Sequence, residues 1–295
     1  MVFLCYKCKK IFENSDKKHG LHLHCFKDWF RLADESEDFE SLNLVKEKSS
    51  YGYRNKSFFH GKFEKYSASL GGRDYILKIS REYPELSKVE YVCNQLGILV
   101  GLSIPDHYLL RFQEQEDCFV SDNFMKDFKG SNLEHIWRFL KKTDKFTLET
   151  LLKVIEKKTG RLSEIQKFIR LCLFDALIGN HDRHGRNLGL IHTPQEYLFS
   201  PCYDNPSYFG TADFLGASHA PRGAIATSTT EEPMMRDYIK EFVRLGFKDE
   251  INRFKKGVDI KKVKFVIQES LISEARKSAF LKFIERQYQE LNNVL

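Results

Sequence analysis

The 295-residue sequence has no apolar run approaching the roughly 18–20 residues that a membrane span requires. It opens Met1-Val-Phe-Leu-Cys-Tyr-Lys7, without the long apolar stretch of a secretory leader. The cytoplasm is therefore the expected location. Internal repeats and low-complexity tracts are absent, which excludes solenoids and disordered arrays. The formal charge of +6 is spread along the chain, and no compact basic tract accompanies it. A basic balance of this size suits an anionic ligand such as a nucleotide, and it does not argue for direct DNA binding. Nor is there a basic or aromatic patch of the kind a membrane-facing substrate would call for. Glycine is scarce where a phosphate loop would want it: Ser49-Ser-Tyr-Gly-Tyr-Arg-Asn-Lys56 holds only Gly52.

What is present is ordinary soluble-protein composition, 42% hydrophobic and 30% charged. The seven cysteines are an odd number. Cys93, Cys118, Cys172 and Cys202 stand singly in apolar contexts and read as small buried hydrophobes. Cys5, Cys8 and Cys25 cluster, and with His22 they form a Cys-x-x-Cys pair followed by His-x-x-Cys. Such a set suits a tetrahedral zinc ion in a reducing compartment, with His19 and His24 as alternative nitrogen ligands. A segment this short cannot build its own core, so a metal staple would help it fold.

Periodicity divides the remainder. Residues 33–47 are acidic and polar, reading as a linker or an exposed helix. Short strands are expected over 63–67 and 74–79 about a Gly71-Gly72 turn, and over 108–111 and 117–120. Between them, Leu86, Val89, Cys93 and Leu96 stripe a helix over 84–99. From about residue 131 the pattern turns helical. Helices are expected over 148–157 and 164–178, the second apolar nearly all round and opened by a Ser163-x-x-Gln166 capping box. A hairpin over 188–199, a long Gly- and Ser-containing loop over 205–230 and further helices complete the chain. The expected fold is α+β and bilobal. A Cys/His segment over 1–32 precedes a small β-rich lobe over 44–130 and a larger helical lobe over 131–295.

The chemistry concentrates in Ile178-Gly-Asn-His-Asp-Arg-His-Gly-Arg-Asn-Leu188. Asp182 and Asn187 stand in the Asp-x4-Asn spacing of a protein-kinase catalytic loop. One carboxylate there reaches the attacking hydroxyl while an amide oxygen a few residues on reaches magnesium. Asp204, in Ser-Pro-Cys-Tyr-Asp204, would return beside Asn187 after the hairpin and complete the metal's oxygen ligands. Lys78 ends an apolar strand. Glu90 sits on the apolar side of its helix, where a carboxylate needs a cation, and Lys78 is the obvious one.

In order, Ser49-x-x-Gly52-x-x-x-Lys56, Tyr-Ile-Leu-Lys78, Val-Glu90-Tyr, Ile-Gly-Asn-x-Asp182-x-His184-x-x-Asn187 and Ser-Pro-x-Tyr-Asp204 resemble the HipA-like serine/threonine kinases, over residues 44–250. The resemblance implies a bilobal kinase using ATP and Mg2+, with Asp182 catalytic and Asn187 and Asp204 as magnesium ligands. It also implies ATP contacts from Tyr51, Gly52, Lys56, Lys78, Glu90, His184, Arg186 and Tyr203, and from Val120, Ser121 and Asp122 in a hinge segment. Ser49 matches an autophosphorylated loop serine, and the adjacent Ser50 leaves the modified residue open. Members are toxins of toxin–antitoxin systems. This places an aminoacyl-tRNA synthetase among the expected substrates and a HipB- or HipS-type antitoxin among the expected partners. The N-terminal β-subdomain of longer members is missing, which brings the chain closer to short HipT-like members.

Two other classes remain. Asp-Arg-His-x-x-Asn also resembles the loop of phosphatidylinositol kinases, a lipid-directed alternative. A pseudokinase that binds nucleotide without turnover, or a zinc-containing adaptor, is the non-enzymatic one.

Overall fold

The computed structural model describes residues 4–12, 17–44, 63–112, 115–211 and 221–293. Two compact units divide them: residues 1–91 with 106–123, and residues 92–105 with 124–295.

The first unit is built on a five-stranded antiparallel sheet. Its strands are β3 (Glu40–Leu44), β4 (Glu64–Leu70), β5 (Arg73–Ile79), β6 (His107–Phe112) and β7 (Glu116–Asp122), in the order β3-β4-β5-β7-β6. The Gly71-Gly72 turn joins β4 to β5 in full register, from Leu70 opposite Arg73 to Glu64 opposite Ile79. Both glycines have positive φ, 57° and 70°, a conformation that costs glycine least. Tyr75, Leu77 and Ile79 alternate into the core, as a half-buried strand requires. Before the sheet stand a short hairpin, β1 (Lys17–Lys18) with β2 (Leu21–His22), and helix α1 (Leu23–Phe30).

Of residues 33–47, expected as linker or exposed helix, 33–39 are irregular, Glu40–Leu44 instead form β3 at the sheet's edge, and 45–47 lie outside the described residues. The pairing partner is β4, more than twenty residues downstream, and a bulge interrupts the register between Glu40 and Asn43. Backbone pairing to a distant strand leaves no local signature.

In the second unit, helix α4 (Leu162–Ile178) is central. It packs against α3 (Leu148–Thr159), α6 (Met235–Arg244), α7 (Lys248–Gly257) and α9 (Glu274–Asn293). Phe168, Ile169, Leu173, Phe174, Leu177 and Ile178 are fully buried, each contributing about 1.5–3 kcal/mol. Helix α3 starts at Thr147, whose Oγ1 accepts from the Thr150 N–H at 3.2 Å, and stops at Gly160 in the left-handed region. Helices α5 (Tyr208–Thr211) and α8 (Ile260–Gln268) complete the set named here. Helix α2 (Leu86–Leu99) crosses the boundary between the units, and its second half meets α4 within the second. A Cβ on Gly97 would lie 2.9 Å from Ile104 and 3.4 Å from Phe174.

Two expectations are corrected here. Ser163 lies inside α4 rather than capping it. The N-cap is Arg161, without a side-chain bond, and Ser163 donates to Glu164. Glu164 is buried and accepts from the Phe199 N–H at 2.7 Å, so a tertiary partner claimed the carboxylate. The helical pattern also begins later than residue 131. A strand β8 (Asn132–His135) intervenes and pairs with β9 (Gly189–His192), which pairs in turn with β10 (Tyr197–Phe199). The β9–β10 hairpin itself is as expected. Among the described residues no helix is long and apolar enough to cross a membrane.

Candidate active site and cysteine cluster

Helix α4 ends at Gly179, whose φ of 70° turns the chain sharply out of the core. A side chain there would collide with Pro221, at 2.7 Å, and with Phe283. The Gly179 carbonyl accepts from the Tyr208 N–H at 3.0 Å, and the Ile178 carbonyl accepts from the Ser207 hydroxyl at 2.6 Å. The loop from Asn180 to Asn187 thus leaves a fixed point.

Its scaffold is Arg183, which is 1% exposed. Nε and Nη2 donate to the two oxygens of Asp175 at 2.8 Å each, a bidentate pair. Nη2 also donates to Asn205 Oδ1 at 2.6 Å. Nη1 donates to the Asn187 carbonyl at 3.1 Å and to the Tyr203 carbonyl at 2.8 Å. One nitrogen therefore gathers the backbone at Asn187 and the backbone just before Asp204. Burial alone would favour a neutral guanidine, but Asp175 outweighs it and holds the Arg183 pKa above its ordinary value.

Around this cation the polar groups are matched. Asn180 donates from its amide to Asp175 at 2.9 Å and accepts from the Asp182 N–H at 3.0 Å. Asn205 Nδ2 donates to Asn94 and to the Cys202 carbonyl, at 3.0 and 3.1 Å. Burial pushes the Cys202 thiol up to about 12, which keeps it neutral beside the cation.

Asp182 and Asn187 are locked to each other. The Asp182 carbonyl accepts from the His184 N–H at 3.0 Å and from Asn187 Nδ2 at 2.9 Å. With its nitrogen committed, Asn187 has Oδ1 as the side-chain atom left for a cation. The hairpin closes with the Ser200 N–H bonded to the Gly189 carbonyl at 3.1 Å. Asp204 then adopts φ of 50°, a left-handed conformation that aspartate tolerates better than most residues and that recurs at functional sites. Asp182, Asn187 and Asp204 are all partly exposed, in contrast to Arg183. An amide oxygen and a carboxylate are hard donors of the kind magnesium takes, so the residues present fit that ion.

Tyr203 braces the loop from the other side. Its hydroxyl donates to the Arg186 carbonyl at 3.2 Å and lies 3.2 Å from His135 Nδ1. Its ring stacks on Phe124 at 5.8 Å. Burial, then the charge of Asp204, raises the phenol pKa. His184 is exposed, and Arg186 lies over the Trp137 ring at 5.7 Å.

In the first unit, Lys78 Nζ donates to Glu90 Oε1 at 2.7 Å, with side-chain exposures of 6% and 0%. The ammonium also lies over the rings of Phe119 and Phe63, at 5.3 and 5.6 Å. Lys78 is placed by β5 and Glu90 by α2, whose Ser87 hydroxyl is bonded to the Lys78 carbonyl at 3.3 Å. Val120, Ser121 and Asp122 end β7, opposite Leu77, Ile76 and Tyr75. Ser49, Ser50, Tyr51, Gly52 and Lys56 lie outside the described residues.

The structure also brings together Cys5, Cys8, His22 and Cys25, whose ligand atoms all lie within 4.8 Å of one another. His19 is engaged with Asp38 at 2.7 Å. Burial pushes the Cys5 thiol up, but backbone hydrogen bonds at Cys8, His22 and Lys7 outweigh it and bring it down to about 7. Burial and the neighbouring thiols of Cys5 and Cys8 raise Cys25 to about 12.

Asp175, Asn180, Arg183, Asn205 and Asn94 are the residues that motif reading passed over. One signal was available: Asp175 is the only charged residue in Leu171-Cys-Leu-Phe-Asp-Ala-Leu-Ile178, and a carboxylate there needs a nearby cation.

Residues 48–288 match the family described as the HipA-like C-terminal domain. Among solved structures, a proinflammatory kinase of Helicobacter pylori, CtkA, superposes with a TM-score of 0.63 at 17% identity, covering 78% of this chain and 92% of that one. HipA of Shewanella oneidensis MR-1, solved with HipB and operator DNA, superposes with a TM-score of 0.57 at 14% identity, covering 86% of this chain and 72% of that one. Both show a shared fold. No curated protein matches the sequence.

Proposed function

The chain belongs to the family of HipA-like C-terminal domains, and from that premise we propose that it is an ATP-dependent serine/threonine protein kinase with Asp182 as catalytic base. The observation that supports this reading is Arg183 Nη1, which donates to the backbone carbonyls of Asn187 and of Tyr203, the residue before Asp204.

Asp182 would accept the proton of the substrate hydroxyl as that oxygen attacks the γ-phosphorus, the bond to the β,γ-bridging oxygen breaks and ADP leaves. Asn187 Oδ1 and Asp204 would hold magnesium, which would supply charge neutralisation for the phosphates. Lys78, held by Glu90, presents its ammonium to the α- and β-phosphates. Val120, Ser121, Asp122, His184, Arg186 and Tyr203 serve the nucleotide, as do Tyr51, Gly52 and Lys56. Residues 44–130 and 131–295 act as the two kinase lobes, with 1–32 as an appended segment. Ser49 or Ser50 is the site of self-modification. The substrate is a protein of translation, of the aminoacyl-tRNA synthetase class. The partner is a small antitoxin, a reading supported by the HipA neighbour's complex with HipB. In this reading the protein works in the cytoplasm as a HipT-like toxin.

Purified chain, Mg2+ and labelled ATP test this. Label should enter the chain itself or a lysate protein, and Asp182→Gln should abolish it while nucleotide binding persists. Label entering phosphatidylinositol vesicles instead of protein, or no transfer by the wild type, overturns the reading.

A further inference from the structure

Outside the kinase site, the four-residue cluster of the first unit has the composition of a closed metal site. Three thiols and one imidazole converge, and no carboxylate belongs to the set. Tetrahedral zinc with Zn–S about 2.3 Å and Zn–N about 2.0–2.1 Å places its ligand atoms roughly 3.5–3.8 Å apart. Cys8 Sγ lies 3.4 Å from His22 Nδ1, and Cys25 Sγ lies 4.0 Å from it. All seven cysteines are free thiols, so the three sulfurs of the cluster are available as ligands.

The backbone is shaped for the same task. The Cys5 N–H bonds the Lys10 carbonyl at 2.9 Å, and the Lys9 N–H bonds the Cys5 carbonyl at 2.8 Å. Lys9 takes φ of 60°, closing a tight knuckle around the Cys-x-x-Cys pair. His22 is the N-cap of α1 and Cys25 stands in its first turn, so one helix start carries two of the four ligands. Cys5 and Cys25 are buried, in a segment that also buries Leu21, Phe26 and Phe30.

The knuckle is also attached to something. The His19 carbonyl accepts from the Arg111 N–H, on the edge strand β6, at 2.8 Å. Gly20 sits so close to Arg111 that a Cβ would be 3.0 Å from the arginine Cβ. Arg111 Nη2 donates to the Tyr6 hydroxyl at 2.8 Å, and that hydroxyl donates to Asp117 in turn. Asp117 also pairs with Lys88 on α2 at 2.7 Å. From α1, Trp29 meets Tyr91 at 6.3 Å and Tyr108 at 5.7 Å, and Phe30 meets Tyr108 at 4.3 Å. Tyr6 lies between Cys5 and Cys8, and Trp29 follows Cys25 by one helical turn.

We propose that Cys5, Cys8, His22 and Cys25 bind one zinc ion, and that this ion fastens the N-terminal segment as a brace on β6 and on the first half of α2, the half that carries Glu90. The metal is structural. Its four protein ligands leave no position for a substrate or an attacking water.

The test uses the full chain. Protein purified without added metal should carry about one zinc per chain by elemental analysis. Cys8→Ser should lose most of it, and His24→Ala, a neighbouring imidazole outside the set, should keep it. Should Cys8→Ser fail to fold, cobalt exchanged into the wild type should show the intense visible bands of a tetrahedral thiolate site. Chelation should lower the melting temperature, zinc but not magnesium should restore it, and amide hydrogen exchange should rise in residues 107–112 and 86–91. Wild-type protein without zinc that takes up no cobalt overturns the site. So does a disulfide among Cys5, Cys8 and Cys25 seen by mass. Metal binding that leaves exchange in β6 and α2 unchanged overturns the brace.

Discussion

Arg183 and Asp175 meet through two parallel hydrogen bonds of 2.8 Å, with side-chain exposures of 1% and 4%. They stand eight positions apart in the chain, and the helix end at Gly179 lies between. The pair converts the interior of α4 into an anchor for a polar loop. A buried pair of this kind adds little net stability, because desolvating two charges offsets their attraction. Its value here is the shape it imposes on the loop.

Arg183→Met should therefore leave Asp175 buried without its cation and lower stability by about 3–5 kcal/mol. Chemical denaturation of the two proteins measures this. Asp175→Asn with Arg183→Met should recover much of the loss. Phosphate transfer should not return in that double variant, because Asn187 and Tyr203 lose their common donor.

Lys78 and Glu90 make a second buried pair, and its role is separable in the same way. Glu90→Gln should weaken ATP binding and destabilise the chain. Lys78→Met combined with Glu90→Gln should be more stable than Glu90→Gln alone, since no uncompensated ammonium remains. ATP affinity by calorimetry should stay weak in both. Recovery of affinity in the double variant would place Lys78 away from the phosphates.

Asn187→Asp tests the donor set. The change keeps an oxygen ligand but exchanges the amide hydrogen bond to the Asp182 carbonyl for repulsion between oxygens. Transfer should fall by roughly a hundredfold or more, the scale on which small misplacements act. The magnesium dependence of the residual activity should shift.

Acid should loosen one corner of the helical unit. Arg244 donates to Glu149 at 2.6 Å and to Glu241 at 2.8 Å, and Lys153 donates to Glu149 at 2.7 Å. The hydrogen bonds from Lys153 and Arg244 hold the Glu149 pKa down at about 2, below the ordinary 4.5 of an unfolded chain. A depressed carboxylate contributes above its unfolded pKa, and that contribution disappears as pH falls from about 4.5 through about 2. Urea midpoints measured down that range should fall less for Glu149→Gln than for wild type. Salt should narrow the difference, because the Glu149, Lys153 and Arg244 side chains are open to solvent.

Much of the architecture could be read from pattern. The Gly71-Gly72 hairpin, the Leu86–Leu99 helix and the apolar α4 follow from turn chemistry and period, and they stand where expected. The strands β3 and β8 could not be read this way. Each is held by backbone bonds to a strand far along the chain, and neither displays alternation strong enough to announce it. Ser163-x-x-Gln166 has the letters of a capping box, but α4 starts at Leu162 with Arg161 as its N-cap, which leaves Ser163 inside the helix. At the site, residue types at fixed spacing pointed to Asp182, Asn187 and Asp204. The network beneath them, from Asn94 to Asn205, depends on three-dimensional convergence that spacing does not encode.

The Arg183 guanidinium draws on helix α4, the turn after β9 and β10, and through Asn205 the helix that holds Asn94. The loop is consequently not a portable cassette. Transplanting residues 179–187 into another scaffold would carry the chemistry but not the clamp, and a designer borrowing it would have to import Asp175, Asn205 and Asn94 as well.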